Sequence, residues 1–271
     1  MKKYLYQHVW FQLFVLGLLL FLVSEAIYVT TASLIFFLLL MYIGAFTVPA
    51  TFVAYFYEYV RDRDISQPLL TTSFIVGGTI GLVAAGLLES ESLSNLNASS
   101  FFLVAVIEEC AKLIFPLLMF VGWKYKHEAD GLLFGVAAGM GFAALETLGY
   151  AITFWAHSGG DIGGLQQLLI IRGATSPAGH AAWTGFVCAV IWHQRQKTGR
   201  LITPAVLGAL LIAILLHFSW NLSNAINTET SAQFALYVIS WSAVILVSLA
   251  LLFWRFRQAR RSARVINHSP N

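Results

Sequence analysis

From Trp10 to Trp254 the chain is a succession of apolar runs of about 20 residues or more, joined by short polar connections. A helix advances about 1.5 Å per residue, so about 20 apolar residues carry it across the hydrocarbon core of a bilayer. The runs lie at roughly 10–29, 33–57, 68–88, 100–122, 130–156, 165–194, 203–226 and 232–254. They predict an all-α fold, a polytopic transmembrane helical bundle of about eight spans. Only 11% of residues are charged, against roughly 25% in soluble domains. That shortage excludes a soluble enzyme, a disordered chain and a nucleic-acid binder; the expected surroundings are the lipid bilayer, with no nucleic-acid partner. No polar block divides the runs, so residues 1–271 read as a single integral membrane domain, with a motif-bearing core at about 100–226 and a basic tail at 255–271. Cys110 and Cys188 both lie inside apolar runs and imply no disulfide framework.

The basic residues orient the bundle. Lys2 and Lys3 precede the first run, and Arg61 and Arg63 follow the second. Lys124 and Lys126 follow the fourth, Arg195, Lys197 and Arg200 the sixth, and five arginines from Arg255 to Arg264 the eighth. The connections near 30, 89–99, 157–164 and 227–231 carry no Lys or Arg. Fourteen of the sixteen basic residues therefore fall on one side of an eight-span arrangement. By the positive-inside rule that side is the cytoplasm, with both termini on it. Within the first run, the apolar stretch Phe11–Val23, with two lysines before it and Ser24-Glu25-Ala26 after it, also has the layout of a signal peptide; its removal would leave the other seven spans and their orientation unchanged. The arginines at the C-terminal end read as an orientation signal and an anchor to anionic headgroups. Gly131, Gly135 and Gly139, and likewise Gly77 and Gly81, recur at the four-residue spacing that lets helices approach closely in a membrane.

Once loops, tails and the ends of the runs are set aside, eight acidic, basic or histidine residues remain: Glu25, Glu108, Glu109, Lys112, Glu146, Arg172, His180 and His217. A charge at the bilayer centre costs about 2.5–3.5 kcal/mol on insertion scales, so such residues face the bundle interior and pair with one another. Glu25 lies near the outer end of its run and reaches the interface. Arg172 lies in the broken stretch Arg172-Gly-Ala-Thr-Ser-Pro177, where it either contacts headgroups or counters a buried carboxylate. At about 100° per residue, Lys112 is one turn from both Glu108 and Glu109 and can neutralise either. Two adjacent glutamates do not both stay ionised cheaply in a low dielectric, which makes the pair a candidate general base or acid. Pro116 leaves the Lys112 carbonyl without its helical donor.

Depth gathers these groups. The helical rise puts Glu108 and Glu109 roughly 12–14 Å below the outer face, Glu146 about 15 Å, and His217 and Asn221 about 14 and 8 Å. His180 depends on its helix: a start at Ser176 and Pro177 as N-cap and first residue puts it in the first turn, while a straight helix from 165 puts it about 22 Å deep. Glutamate with histidine can deprotonate a water, and a second imidazole with an amide can hydrogen-bond a developing oxyanion. That combination describes peptide hydrolysis without a covalent intermediate. Cys110 beside two glutamates is a poor thiolate, and Ser219 lies on a different helical face from His217 and Asn221. Two histidines and a glutamate can also hold zinc with an open position, although no His-Glu-x-x-His occurs.

At these residues the chain resembles the PrsW family of intramembrane proteases, relatives of the CAAX-prenyl endopeptidases. The matching stretches are Glu108-Glu-Cys-Ala-Lys112, Asp130-Gly-Leu-Leu-Phe-Gly135 running on to Phe142-Ala-Ala-Leu-Glu146, Gly179-His-Ala-Ala-Trp-Thr184 and His217-Phe-Ser-Trp-Asn221. The resemblance implies a multi-pass protease of the cell membrane that cuts a membrane-anchored protein substrate of the anti-sigma-factor kind. It implies Glu108, Glu109, His180 and His217 as catalytic residues; Lys112, Glu146 and Asn221, within the same stretches, and Arg172, outside them, are expected to support them. Glu146 stands where the CAAX enzymes have His, and Lys112 where they have Arg. Members are described both as glutamate proteases and as metalloproteases. No cofactor is expected on the first description; on the second, zinc is held by Glu109, His180 and His217. A prenylated tail lies in the cytosol, whereas the depth of this site expects cleavage near the extracytoplasmic side. A non-catalytic scaffold and a proton-coupled transporter with the same polar cluster are the other readings.

Overall fold

A computed structural model describes residues 4–60, 63–92 and 98–266, the side chains at 90–92 and 262–266 excepted. Lys2, Lys3 and Arg61, part of the basic asymmetry, lie outside the described residues. The regular structure among the described residues is helical throughout. The helices are α1 (Val9–Thr31), α2 (Leu34–Tyr59), α3 (Gln67–Thr72), α4 (Gly78–Ser92), α5 (Ala98–Lys112) and α6 (Ile114–Val121), then α7 (Glu128–His157), α8 (Ile162–Thr175), α9 (His180–Thr198), α10 (Pro204–Asn224) and α11 (Ser231–Ile266). A π-helical turn, Ser73–Gly77, joins α3 to α4.

Each of the eight apolar runs is helical, but among the described residues only six form helices long and apolar enough to cross a membrane: Val9–Thr31, Leu34–Tyr59, Gln67–Glu89, Glu128–His157, Pro204–Asn224 and Ser231–Arg261. The fourth run is interrupted, which corrects the expectation of a continuous span there; the sixth is interrupted too, as one of the two readings of His180 requires. In the fourth, Pro116 has no N–H to give the Lys112 carbonyl. α5 ends at Lys112, the Leu113 N–H turns back to the Cys110 carbonyl at 3.2 Å, and α6 starts afresh at Ile114. In the sixth, Ser176–Ala178 form a 3-10 turn and Gly179 (φ −95°, ψ −101°) redirects the chain into α9. Ser176 therefore does not cap a helix beginning at Pro177, nor does one helix run from 165. Its hydroxyl donates back to the Gly173 carbonyl at 3.0 Å, closing α8 instead of opening α9.

Backbone contacts group the chain into two units. The first comprises Met1–Tyr59 and Ala143–Pro177. Here α1 and α2 are joined through Ala32, in the left-handed region at φ 52°. Phe21, Phe37, Leu40, Met41 and Ala45 form a core with Ala151, Leu165 and Leu169. The Glu58 carboxylate at the end of α2 accepts from the Val9 N–H at 2.8 Å and lies 3.0 Å from His8 Nδ1, so the start of α1 is tied to the end of α2.

The second unit comprises Val60–Phe142 and Ala178–Asn271. Its centre is the first half of α7, where Leu132, Leu133, Phe134, Val136, Met140 and Phe142 are all buried. A helix apolar on every side belongs inside a bundle. α9 lies against it along the glycine stripe: a Cβ on Gly135 would stand 2.6 Å from the Thr184 carbonyl oxygen, and one on Gly131 2.6 Å from the Trp192 ring. Small residues at that spacing are what allow the approach. At the start of α7, Glu128 forms an ion pair with Arg255 of α11 at 2.8 Å and meets His193 Nδ1 of α9 at 2.8 Å. Arg255 also donates to the Ala189 carbonyl at 3.2 Å. α11 thus continues as helix through the arginine cluster, with Arg255 buried inside it. Leucines on α1, α10 and α11, among them Leu16, Leu19, Leu207, Leu211, Leu236 and Leu246, remain exposed, as lipid-facing side chains must.

Candidate active site

The last turn of α5 carries Glu108, Glu109 and Lys112, all buried. Helical spacing puts the lysine below both glutamates, and its ammonium donates to Glu108 Oε2 at 3.0 Å and Glu109 Oε1 at 2.8 Å. The same ammonium stands 4.3 Å from the centre of the Phe142 ring, on its π face. An aromatic face and two carboxylates hold one buried cation, so its charge is compensated within the protein, as low dielectric requires.

His217, buried on α10, completes the group. Its Nδ1 lies 2.9 Å from Glu109 Oε1 and its Nε2 3.9 Å from Glu108 Oε2. The imidazole faces the Trp183 indole, with ring centres 4.8 Å apart and planes 20° from parallel. His180 opens α9, its ring centred 6.2 Å from that of His217, 5.4 Å from Phe142 and 5.8 Å from Trp183. The break before α9 is what sets His180 at a helix start beside the mid-helix His217. Asn221 lies one turn beyond His217 on α10, half-buried.

Glu108, Glu109, Lys112, His180 and His217 thus meet within one unit. Glu146 and Arg172 belong to the other, where they pair with each other at 2.9 Å. Arg172 also donates to Thr147 Oγ1 at 3.2 Å and covers the Tyr150 ring at 4.1 Å. Of the two sequence readings of Arg172, counter-ion to a carboxylate is the one observed, and Glu146 is that carboxylate. The nucleophile alternatives fare poorly: Ser219 donates its hydroxyl to the Leu215 carbonyl of its own helix at 2.7 Å, and Cys110 is on the exposed side of α5.

Two residues escaped the sequence reading. Trp183 lies in a quoted stretch, three residues after His180, but nothing in its spacing announces a stack on His217. Ser248, which accepts the Trp183 indole N–H at 2.9 Å, comes from α11, outside the motif-bearing core. A further residue that the sequence reading does not single out is His193, which sits in α9 against Glu128.

A sequence model of the family described as PrsW family intramembrane metalloprotease matches residues 65–253. The protein Protease PrsW of Shouchella clausii (strain KSM-K16) is 27% identical over 218 residues, covering 76% of this chain and 92% of that one. No solved structure matches the chain. The family description carries a metal, and the donor types here, imidazole and carboxylate, suit zinc. Their arrangement does not. Among the described residues no three His, Cys, Asp or Glu side chains are disposed to hold a metal ion. The Lys112 ammonium occupies the position between the two carboxylates that a cation would need.

Proposed function

Since the chain belongs to the PrsW family of intramembrane proteases, we propose that it hydrolyses a peptide bond of a membrane-anchored protein near the extracytoplasmic side, using water activated by glutamate and histidine. The observation that carries the reading is His217 set between two carboxylates, Nδ1 on Glu109 and Nε2 toward Glu108.

An ionised carboxylate only accepts hydrogen bonds, so Nδ1 donates to Glu109 and the Nε2 lone pair faces Glu108. This is the arrangement of a base oriented by a third group. Glu109 Oε1 already receives Lys112 and His217, which makes it the orienting carboxylate. Glu108 Oε2 and His217 Nε2 are the pair that shares the water. The proton lost by that water passes to the pair, the hydroxide oxygen adds to the peptide carbonyl carbon, and His180 and Asn221 donate to the resulting oxyanion. Collapse of the adduct breaks the C–N bond, and the stored proton goes to the leaving amine. Lys112 keeps its charge throughout and limits the repulsion between the two carboxylates.

The side of cleavage is supported by helix arithmetic. Glu108 lies about 15 Å along α5 from its first residue, and His217 about 10 Å from the last residue of α10. Both of those ends lead into connections without Lys or Arg, 89–99 and 227–231.

The test is single-turnover cleavage of a tagged single-pass reporter by purified protein, comparing wild type with Glu108→Gln, Glu109→Gln, His180→Ala and His217→Ala, each with and without a strong chelator. Losses of about 10²–10⁴-fold are expected for the base pair Glu108 and His217, with wild-type activity resistant to chelator. Activity abolished by chelator and restored by zinc would replace this mechanism with a metal one. A cut found only on the cytoplasmic side would overturn the topology. No cleavage of several reporters by folded wild type would favour a non-catalytic scaffold.

A further inference from the structure

Resting on that reading of the site, we infer that Trp183, anchored by Ser248 of α11, is the positioning residue that fixes the plane of the His217 ring. A single hydrogen bond from Nδ1 to Glu109 holds one corner of an imidazole. The ring can still pivot about that bond, because the second torsion of a histidine side chain is broad. Pivoting sweeps Nε2 away from Glu108, and a displacement of about 1 Å at a reacting group costs on the order of 10²-fold in rate.

The indole removes this freedom. It lies 4.8 Å from the imidazole and within 20° of parallel, so the histidine cannot tilt toward it without overlap. The indole is itself immobilised: Trp183 is 2% exposed, and its N–H donates to Ser248 Oγ at 2.9 Å, where Ser248 is 1% exposed. A space-filling tryptophan needs neither the parallel stack nor that fixed partner. When His217 takes up the proton of the water, the indole face also attracts the imidazolium formed, since tryptophan is the strongest cation–π partner among the side chains. Trp183 does not touch the reacting atoms; it acts through His217. The consequence is that α11, beyond all four motif stretches, takes part in the site through a hydroxyl group.

Full-length protein in micelles would be assayed for kcat and KM on the reporter as wild type, Ser248→Ala, Ser248→Thr, Trp183→Phe, Trp183→Leu and the double variant Trp183→Phe/Ser248→Ala. In parallel, isotope-labelled histidine resonances would be recorded, with His217 assigned by its loss in His217→Ala. Ser248→Ala should lower kcat about fivefold, the equivalent of one neutral hydrogen bond, with KM within about twofold. Ser248→Thr, which keeps the hydroxyl, should recover wild-type kcat. Trp183→Phe should match Ser248→Ala, and the double variant should be no worse than either, because all three remove the same anchor. The His217 resonance should carry the ring-current shift of a stacked proton and lose it in Trp183→Leu. If Trp183→Leu does not fold, Ser248→Ala and Trp183→Phe decide the matter. An unchanged kcat in both, or a rise in KM with kcat intact, overturns the inference. Should wild type cleave no reporter, the proteolysis reading fails on its own. The His217 resonance then still decides the positioning, which is refuted if it stays put in Ser248→Ala.

Discussion

Replacing Lys112 by methionine tests the electrostatic core of the site. The side chain has no exposed surface and its ammonium sits 3.0 and 2.8 Å from two carboxylates and 4.3 Å from the Phe142 ring centre. Methionine keeps the length and apolar stem, so packing is nearly conserved and the change is one of charge. An exposed ion pair contributes about 0–1 kcal/mol, but removing one partner of a buried pair costs about 3–5 kcal/mol because a charge is left without compensation. Here one ammonium serves two carboxylates, which places Lys112→Met at the upper end, near 5 kcal/mol. The control is Lys112→Met/Glu108→Gln, which has one ammonium and one carboxylate fewer and so the same formal charge as wild type. It should recover about 2 kcal/mol of the loss, within the range of coupling between contacting residues. Reversible unfolding in mixed micelles supplies both numbers. A cost below about 1 kcal/mol for the single variant, or strict additivity in the double, would refute the claim that Lys112 holds the two glutamates as a charged unit.

Further variants probe the frame around the site. Gly135→Ala would bring a Cβ to 2.6 Å from the Thr184 carbonyl oxygen and 2.8 Å from Cys188 Cβ, so stability should fall by about 1–3 kcal/mol. Gly149→Ala, on the same helix with nothing within 4 Å, should be neutral or slightly stabilising, and equal melting temperatures for the two would contradict the close approach of α7 and α9. Arg255→Met should cost about 3–5 kcal/mol by leaving Glu128 buried without its guanidinium, and Glu128→Gln in the same chain should restore part of it; a surface-like loss below about 1 kcal/mol would show that Arg255 belongs to the solvated tail.

What the sequence made legible was local. Lys112 meets Glu108 and Glu109 because all three ride one helix at fixed spacing, and the glycines at 131, 135 and 139 face α9 for the same reason. Hydropathy, by contrast, records composition and not continuity. It reads the stretches around Leu113 and around Ser176–Gly179 as unbroken spans although the backbone breaks in both. Pro116 gave a physical signal for the first break; for the second, Pro177 signalled a helix start that the structure shifts three residues on, because Ser176 bonds backward. The partners that cross between helices had no such signal. Arg255 looks like the first residue of a basic tail until Glu128 and His193 are brought to it. Trp183 and Ser248 are 65 residues apart in the chain, and no periodicity connects them.

The placement of Glu108, Glu109 and Lys112 on a single turn bears on how the protein is made. Lone charges at a helix centre each cost about 2.5–3.5 kcal/mol to insert, and three of them would burden α5 heavily as it leaves the translocation machinery. Spacings of three and four residues let the ammonium reach both carboxylates within α5 itself, before α10 supplies His217 or α9 supplies Trp183. The segment can therefore enter the membrane already neutralised in large part. The two glutamates and the lysine are carried into the bilayer by their own local pairing, and assembly of the remaining helices has only to aim them.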